Sequence, residues 1–97
     1  MSGRKDDAGK YRISLVPWAP LLSVVRVLEH GARRYGDSNW LKVENHRERY
    51  FNALHRHLGA WWMGEKSDPD TGESHLAHVV ACALFLLARD GEEKSDV

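Results

Sequence analysis

Two histidines set three residues apart, His75 and His78 in the run HLAH, are the first residues in this chain whose types and spacing could do chemistry. At that step they share one face of a helix, and with His55 or His57 from a neighbouring helix they could ligate a zinc or manganese ion. They could equally hydrogen-bond phosphate oxygens, or serve as satisfied polar groups at the end of a core. Phosphate held by imidazolium charge would bind more weakly as pH rises from about 6 to about 8.

A second group combines bases and aromatics: Arg33, Arg34, Tyr35, Asn39 and Trp40, then Arg56, His57, Trp61 and Trp62. Guanidinium forks grip phosphate, and aromatic faces stack on nucleobases. Trp61 falls on a core stripe, whereas Trp40 and Trp62 are freer. A third group is acidic: Glu29, Glu65, Asp68, Asp70 and Glu73. Oxygen ligands of this kind suit Mg²⁺ or Mn²⁺, but DPDTG lacks calcium-loop spacing and reads as a solvated turn. Glu29 stands beside the apolar stripe of its own helix, four residues before Arg33.

Three helices must position these groups. Leu21, Val24, Val25 and Leu28 repeat at helical spacing, predicting a first helix over about 19–35 that opens near Pro17 and Pro20 and stops at Gly36. Tyr50, Phe51, Leu54, Leu58 and Trp61 predict a second over about 46–63, closed by Gly64. Leu76, Val80, Ala83 and Leu87 mark one stripe of a third over about 73–89, and His75, His78, Cys82 and Phe85 mark another. Tyr11 to Val16 alternates and is expected as an extended arm. Residues 1–10 are expected as a disordered tail, 11–90 as one helical domain and 91–97 as a flexible tail. The third helix has little surface suited to water, so the expectation is an all-α, three-helix chain that completes a bundle by homo-oligomerisation, as a dimer or tetramer.

Composition narrows the partners. The 97 residues carry 14 basic and 14 acidic side chains, so no global field draws the chain to a nucleic-acid polymer or a membrane surface. A single cysteine, Cys82, sits in the apolar run and fits a buried thiol in a reducing compartment. The run VVACALFLLA is about ten residues, too short to span a bilayer.

The runs VLEHGARRYGDSNW, RYFNALHRHLGAWWMGE and ESHLAHVVACALFLL resemble the small helical phage family of the dATP/dGTP diphosphohydrolase N-terminal domain, over roughly Lys10 to Leu87. The resemblance implies purine deoxynucleotide binding, a helical fold and a phage protein in the cytoplasm of an infected bacterial host. Helical pyrophosphohydrolases hold divalent ions through paired carboxylates, yet here His75 and His78 stand where the second acidic pair would fall. The favoured expectation is therefore a non-catalytic oligomer that sequesters a purine nucleotide or cyclic dinucleotide, in the manner of phage sponges that evade CBASS immunity. In it Arg33, Arg56, His57, His75 and His78 hold phosphates, Tyr35, Trp40 and Trp62 stack on bases, Asn39 completes the site, and no cofactor is needed. The alternative is a dATP/dGTP pyrophosphohydrolase with Mg²⁺ or Mn²⁺ on Glu29, Glu65, Asp68, His75 and His78. A third reading is a structural or protein-binding helical module.

Overall fold

A computed structural model describes residues 3 to 92. The outer parts of both expected tails, residues 1–2 and 93–97, lie outside the described residues. Three helices carry the fold: α1 (Trp18–Tyr35), α2 (His46–Trp62) and α3 (His75–Arg89). Short 3₁₀ turns occupy Ile13–Leu15 and Asn39–Lys42. The described residues contain no strand, only a single antiparallel bridge between Ser67 and Ser74.

The helix ends follow the local chemistry. Pro20 lies in the first turn of α1, where a missing N–H costs nothing. Gly36 closes that helix at φ 99°, its N–H donating to the Ala32 carbonyl at 2.9 Å. Asn45 precedes α2 in the left-handed conformation, a state that asparagine tolerates, and its amide donates to Glu48 at 3.0 Å. Gly64, at φ 104°, ends the turn after α2. Ser74 caps α3 by accepting the Leu76 N–H at 3.1 Å.

α3 packs against both α1 and α2, and among the described residues those two do not pack on one another. Its small side chains make this possible. Ala77 and Ala81 are buried against Val24 and Val27 of α1, with Leu28 and Phe85 closing the cluster, and Ala81 is only 2% exposed. Cys82 is also buried. The outer helices therefore diverge.

Three sequence expectations are corrected. The arm at Tyr11 to Val16 is not extended, since Ile13–Leu15 turn as a 3₁₀ helix that buries nothing. Trp61 is not core but 37% exposed: it shares the face of α2 on which Tyr50 meets Phe85, but stands in the last turn of the helix, beyond that contact. Of the two α3 stripes, Leu76, Val80 and Leu87 are exposed, while the buried residues are His75, Ala77, Ala81 and Cys82.

Trp40 packs back on the helices, its ring stacked on Phe85 with centroids 5.0 Å apart and planes at 15°. Arg89 holds that turn in place, because its guanidinium Nη1 donates to the Trp40 carbonyl at 3.1 Å and the Val43 carbonyl at 2.8 Å. Charge-assisted bonds contribute about 1.5–3 kcal/mol each. Arg89→Ala removes both and should therefore lower unfolding free energy by about 3–6 kcal/mol in urea titrations, and an unchanged midpoint would show that the 39–43 turn holds itself.

Candidate functional site

Three segments converge at the start of α3: His57 from α2, the 64–74 loop, and His75 with His78 in the first turn of α3 itself. The loop is fixed by its own backbone. Asp68 N–H donates to Glu73 at 2.8 Å, Gly72 N–H to Asp68 at 2.7 Å, and His75 N–H to Lys66 at 2.8 Å. The Asp68 carboxylate accepts from the Thr71 N–H at 3.0 Å and the Thr71 hydroxyl at 3.2 Å, the side-chain-to-backbone turn that aspartate favours. Two ion pairs tie the loop to α1: Arg26 to Glu73 at 3.0 Å and Arg34 to Asp70 at 2.8 Å. The arginines are exposed, so these pairs orient the loop more than they stabilise it.

Within this frame the imidazoles touch one another. His57 Nδ1 and His75 Nδ1 are 2.9 Å apart. His75 is 3% exposed, and its Nε2 donates to Glu65 at 2.7 Å. The His57 ring stacks on that of His78 with centroids 4.3 Å apart and planes at 7°. His78 Nε2 meets the Thr71 hydroxyl at 2.7 Å and lies 3.9 Å from the Asp68 carboxylate. One ligand atom from each of His57, Asp68 and His75 lies within 4.8 Å of the others, a grouping able to hold a metal ion.

Burial dominates the electrostatics here. It pushes the pKa of His57 below the ordinary histidine value, and His78 and His75 beside it push the same way against the opposing pull of Asp68. The pKa of His78 is likewise lowered, first by burial, with Asp68 opposing. Burial alone would raise the pKa of Asp68, but the two Thr71 hydrogen bonds and the neighbouring imidazoles outweigh it, and the carboxyl stays below its usual range. His57 and His78 are thus neutral at pH 7. Neutral imidazole can ligate a metal, donate one N–H or accept one proton, but brings no positive charge to a phosphate. The expected loss of anion affinity between about pH 6 and 8 moves to lower pH for these two residues. Cys82 takes no part, since burial pushes its thiol up to about 11.

Between the diverging α1 and α2 lies a cleft of about 1010 Å³, at the upper end of small-molecule sites. His57, Asp68, Thr71 and His78 line one part of it, and Tyr35, Asn39 and Trp40 another. Of the residues expected in a ligand site, the cleft therefore brings together Tyr35, Asn39, Trp40, His57 and His78. His75 lies outside the lining, buried behind His57. Arg33, Arg56 and Trp62 are exposed and also lie outside it, Trp62 being 78% exposed at the end of α2. Of the expected metal set, Glu29 lines the α1 wall and Glu65 reaches the far side of His75. His57, not His78, completes the group with Asp68 and His75. Thr71 was missed by sequence reasoning, while Arg34, named in the basic group, lines the cleft and pairs with Asp70. The four-residue run Asp68 to Thr71, in which an aspartate precedes a hydroxyl by three, was the available signal for Thr71.

The profile of the family described as dATP/dGTP diphosphohydrolase, N-terminal, matches residues 1–96. The chain belongs to this family. A protein of Salmonella phage PMBT28 named dATP/dGTP diphosphohydrolase is 35% identical over 88 residues, which cover 89% of this chain and 29% of the phage protein. The chain thus spans less than a third of the length of that relative. No solved structure matches. The family read from the three sequence runs is correct, and no helix among the described residues is long and apolar enough to cross a membrane.

The lowered histidine pKa values set a pH dependence for folding. Unfolded His57 and His78 take up protons near pH 6.5, whereas the folded chain resists until lower pH, so the unfolded state binds more protons in between. Stability is then full above about 6.5 and falls as pH drops below it. Unfolding midpoints measured with a chelator present should decline from pH 7 to 5, and less steeply in His57→Gln. Equal slopes for the two proteins would contradict a buried neutral His57.

Proposed function

We propose that this chain binds a purine deoxynucleoside triphosphate in the cleft between α1 and α2, as the N-terminal domain of a dATP/dGTP diphosphohydrolase. The observation that carries the reading is the presence, in one cleft, of an aromatic end and an imidazole–carboxylate end. Phe85, beneath Trp40, follows His78 by seven residues, about 10 Å along α3, which is the reach of a nucleotide from base to phosphates. Tyr35 or Trp40 offers a face to the purine and Asn39 an amide to its edge. His57, His78 and the Thr71 hydroxyl meet the phosphates. In the reaction, water attacks the α-phosphorus, the bond to the β-phosphate oxygen breaks, and the monophosphate and pyrophosphate leave. Neutral His78, which also lines the cleft, takes the proton that water loses.

Binding without turnover is the second reading, favoured by a cluster with more imidazoles than carboxylates: His57, His75 and His78 against Glu65 and Asp68. In that case the chain sequesters an intact purine nucleotide or cyclic dinucleotide, as CBASS-evading sponges do. In both readings it acts in the cytoplasm of an infected bacterium. In both, too, it is a dimer or tetramer that covers Leu22, Leu76 and Val80, which are exposed on the single chain. Light scattering that returns the 11.1 kDa monomer would remove this last part.

The purified protein is incubated with deoxynucleotides and cyclic dinucleotides, with and without Mn²⁺, then boiled, and the released nucleotides are separated. Monophosphate and pyrophosphate support hydrolysis, intact ligand supports sequestration, and recovery of neither contradicts both. Trp40→Ala should weaken nucleotide affinity about 5- to 150-fold, the equivalent of about 1–3 kcal/mol of stacking. Unchanged affinity would take Trp40 out of the site.

A further inference from the structure

The base of the cleft carries a more specific chemistry than nucleotide binding alone. We propose that His57, Asp68 and His75 form a binding site for one first-row divalent transition metal ion, such as Mn²⁺, Co²⁺ or Zn²⁺, in preference to Mg²⁺. The purpose of such a site rests on the nucleotide reading, but its existence does not.

Three observations carry it. First, one ligand atom from each residue lies within 4.8 Å of the others, the grouping of this kind among the described residues. Second, the two facing Nδ1 atoms are 2.9 Å apart. Two metal–nitrogen bonds of about 2.0–2.1 Å, set between a right angle and a tetrahedral angle, place their nitrogens about 2.9–3.4 Å apart. Third, Glu65 accepts from Nε2 of the buried His75 at 2.7 Å. That bond fixes the proton on Nε2 and leaves the Nδ1 lone pair facing His57, the carboxylate–histidine arrangement that orients metal ligands.

Donor type decides the metal. Two imidazole nitrogens and one carboxylate suit first-row transition ions, while Mg²⁺ prefers an all-oxygen shell that retains its waters. His57 and Asp68 line the cleft and His75 lies behind them, so the open side of such a site faces the nucleotide cavity. His78 stays outside the ligand set, with its Nε2 on Thr71. Glu65 acts as a positioning residue, through His75.

The test uses untagged, chelator-stripped full chain with no nucleotide present. Calorimetry with CoCl₂, ZnCl₂ and MgCl₂ should show one equivalent of Co²⁺ or Zn²⁺ per chain, bound at least about tenfold more tightly than Mg²⁺, and Co²⁺ should give visible d–d absorption. His57→Ala and Asp68→Asn should each lose that band. Glu65→Gln should keep it with about 10- to 100-fold weaker affinity, which separates a ligand from a residue that orients one. Absence of Co²⁺ binding, equal affinity for Mg²⁺, or a band unchanged in His57→Ala with native circular dichroism would overturn the site. Failure of the nucleotide reading shows separately, as Co²⁺ binding by a protein that neither retains nor cleaves any nucleotide.

Discussion

Everything in this molecule depends on how α3 is covered. That helix presents apolar side chains on nearly every side, and it meets its neighbours through small ones, Ala77 and Ala81 against α1 and Cys82 in the buried interior. Small residues let the backbones come close, which gives a tight seam from few atoms. Because α1 and α2 grip α3 without packing on one another, the space between them stays open. The cleft is the direct consequence of a third helix with two separate partners.

The polar chemistry sits where that cover ends. At the first turn of α3 the buried stripe changes from alanine to His75, and a buried imidazole needs partners on both nitrogens. Glu65 and His57 supply them. Burial disfavours added positive charge on His57 and His78 beside His75. His57 and His78 are thus held neutral, with Thr71 joining His78 to Asp68 on the cleft side.

Much of this could be read from residue spacing. The helices expected at 19–35, 46–63 and 73–89 are found at Trp18–Tyr35, His46–Trp62 and His75–Arg89, because Gly36, Gly64 and Ser74 mark their ends chemically. The meeting of His57 with His75 was legible in outline, since both stand toward the facing ends of consecutive helices joined by the loop 63–74. What spacing could not tell was which stripe of α3 would be buried. Leu76 and Val80 are the more hydrophobic choice, but the small residues Ala77 and Ala81 permit closer packing and take the interior. Arg56 and His57 were indistinguishable neighbours in sequence, yet one step along α2 is about 100° of rotation, enough to turn the arginine to solvent. Asp68 looked like part of a solvated turn, because the Asp68–Thr71 spacing in DPDTG does not say that the turn would face His78 rather than water.

The central claim is that the aromatic and imidazole ends of the cleft belong to a single nucleotide site. A crystal structure of the chain with a purine deoxynucleoside triphosphate analogue, non-hydrolysable between the α and β phosphates and grown with Mn²⁺, tests it directly. The expected density has the base against Tyr35 or Trp40 and the phosphates over His57 and His78. A nucleotide seated outside the cleft, or one whose phosphates point away from the histidines, would contradict the account.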